Sequence, residues 1–94
     1  MAIHVSLQII PKVESGRVYE VVDAVIEYIA STGVPYIVGP METTMEGELD
    51  ELLGIVAKAQ EICTSRGAER VLSMVKIDYS TRGVTFDEKL HKYR

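Results

Sequence analysis

Ninety-four residues make one domain, residues 1–94, at roughly 150 residues per domain. Ten Lys and Arg against 14 Asp and Glu leave a net charge of −4, and 47% hydrophobic with 26% charged residues is the balance of a folded chain rather than a disordered one. The single cysteine, Cys63, excludes an internal disulfide, a CxxC redox pair and a four-thiolate cluster, and the acidic balance disfavours non-specific nucleic-acid binding.

Residues 2–10 alternate, with Ile3, Val5, Leu7 and Ile9 on one side and His4, Ser6, Gln8 and Ile10 on the other. Period two with β-branched residues predicts a strand, and Pro11, which lacks an amide donor, ends it. Residues 16–32 switch to helical spacing: Val18, Val21, Val22, Val25, Ile26 and Ile29 form one apolar stripe. Ser15 is the expected N-cap of that helix and Gly33 its stop. Residues 34–39 and 41–46 read as two short strands turned at Gly39-Pro40.

A second helix is expected from Gly47 to about Arg66, with Leu49, Leu52, Leu53, Val56, Ala59 and Cys63 on its apolar side. Gly54 lies inside it, with close packing on the sheet as the expected reason, and Gly67 ends it. Residues 69–79 alternate again, Val71, Ser73, Val75 and Ile77 against Leu72, Met74, Lys76 and Asp78. The spacing of Phe86, Leu90 and Tyr93 suggests a short terminal helix.

Strand–helix–strand–strand–helix–strand is the ferredoxin-like βαββαβ order: an α+β fold with a four-stranded antiparallel sheet and two helices on one face. The apolar sets Ile3/Val5/Leu7/Ile9 and Val71/Val75/Ile77 are expected to meet the helices. The other face carries His4, Ser6, Gln8, Met74, Lys76 and Asp78 and is expected to stand bare in one chain, ready for water, a ligand or another subunit. So short a chain buries only roughly 60–65% of its unfolded surface, which also favours self-association.

The fold assigns no function by itself. No run of 18 apolar residues exists, so no membrane partner is expected, and the opening Met1-Ala2-Ile3-His4 lacks signal-peptide order, so a cytoplasmic location is. Neither His4 nor His91 has an obvious nucleophile beside it, so a non-enzyme is expected; an enzyme would require His4 to line a cavity. His4 otherwise reads as an interface residue. The polar stretch Gly39 to Gly47 packs Thr43, Thr44, Glu42 and Glu46 beside a helix start. Glu46 either satisfies free amides at the second helix or faces a basic ring nitrogen, with Thr43 or Thr44 hydrogen-bonding a heterocycle. Asp78 reads as the partner of Lys76 or Arg82 in a surface pair. Cys63 reads as a small buried hydrophobe, and Met41, Met45 and Met74 as core or interface filler.

Pro40-Met41-x-Thr43-x-x-Glu46-Gly47, placed between the third strand and the second helix, resembles the small thiamine-binding-protein-like family. Strand one ending at Pro11, the Ser15-led helix and Arg70-Val71 running into Lys76-Ile77-Asp78 extend the resemblance over nearly the whole chain. Glu42 stands where that family usually has Gly, and Tyr79-Ser80-Thr81 separates Asp78 from Arg82. The resemblance implies binding of thiamine or its hydroxymethylpyrimidine half, without catalysis or cofactor, by subunits paired through their sheets as a homodimer or dimer of dimers. Thr43 and Glu46 are the implied ligand-binding residues, joined by Ser6 from its place on the open face. The competing expectation is a structural or regulatory oligomerisation module with no such ligand.

Overall fold

The computed structural model describes residues 1–94. Its elements are β1 (Ile3–Pro11), α1 (Val18–Ser31), β2 (Tyr36–Val38), β3 (Thr43–Gly47), α2 (Leu49–Ser65), β4 (Val71–Asp78) and a short α3 (Phe86–Leu90). The sheet order is β2-β3-β1-β4 and every pairing is antiparallel. This is the ferredoxin-like arrangement. No helix is long and apolar enough to cross a membrane.

The period-two pattern of β1 sets the layers. Ile3, Val5 and Leu7 are at most 3% exposed and pack with Val21, Val25 and Ile29 of α1 and Leu52, Ile55, Ala59 and Cys63 of α2. Burial in this apolar layer raises the Cys63 thiol pKa. Gly33 and Gly67 follow α1 and α2 with left-handed φ of 84° and 98°.

Several local expectations fail for identifiable reasons. Ser15 does not cap α1: it opens a 3-10 turn, Ser15–Arg17, and α1 begins at Val18 without a side-chain cap. Gly47 ends β3 rather than opening α2, which starts at Leu49. The buried stripe of α2 includes Ile55 and leaves Leu53 38% exposed. Gly54 lies on the exposed side, where an added Cβ would meet nothing within 4 Å, so close packing does not explain it.

The apolar set of β4 is only partly covered. Val71 packs against the core, and Gln60 of α2 accepts a 2.9 Å hydrogen bond from Ser73, but Val75 and Ile77 farther along remain 38% and 49% exposed. β4 is an edge strand, and the helix layer engages its start rather than its whole length.

The other face is not wholly bare. Residues 83–94 fold back over one end of it. Gly83 makes this return possible: its φ is +78°, and a Cβ there would sit 3.1 Å from the Ala2 carbonyl oxygen. The Val84 amide donates to that same oxygen at 3.0 Å. Phe86 then lies on His4, while Ile10, Leu72 and Met74 at the far end stay 41%, 60% and 47% exposed.

Candidate functional site

The site follows from cross-strand register. His4 lies opposite Glu46 and Asp78, and Ser6 lies opposite Thr44 and Lys76. Ile37 faces Thr44 from β2. All seven side chains therefore share the open face by the alternation of the strands. Six of them, all but Glu46, surround with the returning tail a cleft of about 460 Å³, lined by His4, Ser6, Ile37, Thr44, Lys76, Ile77, Asp78, Phe86, Lys89 and Leu90.

The floor is a hydroxyl pair. Ser6 Oγ and Thr44 Oγ1 are 2.6 Å apart. One of the two protons is spent between them, which leaves the pair with acceptor lone pairs and one further donor. Ile37 and Leu90 supply apolar surface beside these polar atoms.

The tail end of the cleft is a connected polar network around His4, which is 3% exposed. The Lys89 ammonium donates to His4 Nδ1 at 2.8 Å and to Asp78 Oδ2 at 2.5 Å. An ammonium has no acceptor, so Nδ1 must carry the lone pair and the other ring nitrogen the proton. His4 Nε2 accordingly donates to Glu46 Oε1 at 2.9 Å. The same carboxylate oxygen accepts the Phe86 amide at 2.6 Å. The Phe86 ring stacks on the imidazole with centroids 4.5 Å apart and 19° between planes. The Lys89 hydrogen bond and charge hold the Asp78 carboxyl below the usual aspartate range, with the nearby His4 acting in the same direction.

A second ion pair stands on the opposite side of Ser6. Lys76 donates to Glu42 Oε1 at 2.7 Å, linking β4 to the β2–β3 turn. The hydrogen bond from Lys76 lowers the Glu42 pKa, with smaller contributions in that direction from Ser6 and the Lys76 charge. Glu42 thus has a place in the fold that the resemblance did not suggest: it tethers the turn across the sheet.

The three residues singled out from sequence go to different places. Ser6 lines the cleft. Thr43 does not: it is 7% exposed, pairs with Leu7 on the helix side of β3 and borders a separate crevice of about 110 Å³ against α1. The adjacent Thr44 takes the place on the open face. Glu46 shares that face, yet its carboxylate is engaged behind His4. It caps the start of α3, not of α2, by accepting the Phe86 amide. Asp78 pairs with Lys89 rather than with Lys76 or Arg82.

Lys89 and Phe86 were missed as site residues, and of the two threonines offered by the sequence the resemblance selected Thr43 where the open face carries Thr44. Strict alternation from Glu46 would have placed Thr44 rather than Thr43 beside Ser6. Nothing local marks Lys89 or Phe86, which reach His4 from about 80 positions away. His4 does line a cavity, the condition set for an enzyme. Both of its ring nitrogens are occupied by Glu46 and Lys89. Ser6 is bonded to Thr44, so no nucleophile–base pair is assembled.

The chain is similar to several known proteins over nearly its whole length. A UPF0045 protein of Clostridium perfringens, CPE1503, is 68% identical over 91 residues, covering 97% of this chain and 96% of that protein. A solved domain of unknown function from Bacillus cereus is 47% identical with a TM-score of 0.93, over 100% of this chain and 91% of that one. A Thermotoga maritima structure described as a candidate thiamine biosynthesis or salvage protein is 40% identical, also with a TM-score of 0.93, over 100% of both chains. The family model for thiamine-binding proteins matches residues 5–94, and the chain belongs to that family.

Proposed function

We propose that the chain is a non-catalytic, cytoplasmic binding protein for thiamine or its hydroxymethylpyrimidine half, working as a homo-oligomer. The observation that carries this reading is the cleft on the open sheet face in a chain of the thiamine-binding family. An aminopyrimidine presents donors and ring acceptors on one planar edge. The Ser6–Thr44 pair offers both kinds of partner, and Ile37, Leu90 and Phe86 offer apolar surface for the ring. Asp78 is the cleft's only carboxylate and is already paired with Lys89, while Lys76 adds a second cation. The hydroxymethylpyrimidine half therefore suits the cleft better than the cationic thiazolium does.

Calorimetry on the purified protein tests this. Saturable heat is expected with hydroxymethylpyrimidine, a weaker response with thiamine, and loss of both in the S6A/T44V double variant. Absence of heat with either compound at millimolar concentration overturns the reading.

A second reading, an oligomerisation module without such a ligand, is favoured by one observation. Leu72, Met74 and Ile10 form an exposed apolar end on the same face. Under that reading M74D separates the subunits, and S6A/T44V changes nothing except stability.

A further inference from the structure

Beyond Val84, which packs against the core, the tail has weak apolar reasons to stay where it is. None of the residues of α3 is buried, and residues 91–94 are exposed. What holds it beyond the Val84 contact gathers around one ring: Phe86 stacks on His4, the Phe86 amide is held by the carboxylate bonded to His4, and Lys89 donates both to His4 and to its neighbour Asp78. From these contacts we infer that residues 85–94 are a latch over the cleft, held tight when His4 is neutral and loosened when His4 takes up a proton.

The reason is donor counting. Neutral His4 donates from Nε2 to Glu46 and accepts at Nδ1 from Lys89. The charged groups facing it are Glu46 of β3, Asp78 of β4 and Lys89 of α3. A proton added at Nδ1 sets a second N–H and a second positive charge against the Lys89 ammonium at 2.8 Å. Two donors cannot share one hydrogen bond, and the charges repel. The imidazolium keeps its carboxylate partner, because Glu46 lies on the rigid sheet on the other side of the ring. Lys89, 42% exposed, has water to move into. Protonation thus removes one of the two contacts Lys89 makes with the sheet, leaving its ion pair with Asp78, and strengthens the bond to Glu46 within the sheet. Asp78 stays ionised through this change, since Lys89 holds its carboxyl low.

The latch differs from the ligand reading and is tested without a ligand. The ring nitrogens of His4 and the amide exchange of residues 85–94 are followed by NMR from about pH 8 to about pH 5, with exchange corrected for its intrinsic pH dependence. As His4 gains its Nδ1 proton, the Phe86 and Lys89 amides are expected to exchange about tenfold faster with the same midpoint. The step disappears in H4Q, which can still donate to Glu46 but does not titrate, and in K89M, which leaves the buried ring in place. Tail amides that stay unchanged while His4 titrates overturn the inference. So does a His4 that remains neutral until the sheet itself unfolds, or an acid step that persists in H4Q.

Discussion

The two faces of β1 are held by different physics. Ile3, Val5 and Leu7 sink into a layer of aliphatic side chains, where contact is non-directional and many residues share the load. His4 and Ser6, one position away on the same strand, are fixed by single hydrogen bonds to named partners. The first face tolerates approximate shape but not lost volume. The second tolerates changed volume but not a changed donor count. Stability therefore resides on the helix side, and the polar groups on which the proposed binding reading rests lie on the other.

The difference can be broken most forcefully at its apolar side. Leu52→Ala, at a side chain with no exposure, is expected to cost about 3 kcal/mol in urea unfolding. A cost near zero would mean the core is not the main support. Next comes His4→Ala, which unstacks Phe86 and leaves Glu46 without its ring partner. It is expected to cost about 1–3 kcal/mol, with loss of amide protection in residues 85–94 ahead of the rest of the chain. Uniform loss across the molecule would remove the distinction between the two faces.

Gly54→Ala works in the opposite direction. The position is exposed, mid-helix and free of neighbours, so the substitution is expected to raise stability by about 1 kcal/mol. A loss would point to a constraint on α2 from outside this chain. The smallest effect is the acid dependence of the open face. The Asp78 pKa is lowered by Lys89, so its contribution is present above the ordinary aspartate pKa and is lost as pH falls through the lower folded value. D78N should flatten the most acidic part of the stability curve and leave the neutral region nearly unchanged. A steeper acid loss in D78N contradicts the sign of that linkage.

How far the sequence reveals the molecule divides along the same line. The alternation of β1 and the stripe Val21, Val25, Ile29 placed strand, helix and core, because apolar burial leaves a periodic trace. The trace weakened where tertiary geometry decides: Leu53 and Ile55 differ in burial only through the rotation of α2, and Val75 and Ile77 are apolar yet sit on an edge. Polar recognition leaves a period only where it sits on a strand. Ser6 was legible from its face, and counting in twos from Glu46 decides for Thr44 between the two threonines the sequence offered. Lys89 could not, because its partners His4 and Asp78 belong to β1 and β4 and meet it only through the reversal at Gly83. The expectation of a fully open sheet failed for that reason: a tail with little hydrophobic content can still settle where buried polar atoms need partners.

The cleft on the open face is the central claim, and residue-resolved titration tests it directly. Hydroxymethylpyrimidine is added to 15N-labelled protein and amide shifts are followed. Saturable shifts are expected at Ser6, Thr44, Lys76 and Phe86, with the crevice beside Thr43 and α1 undisturbed. Shifts centred on that crevice, or none at millimolar ligand, would contradict the account.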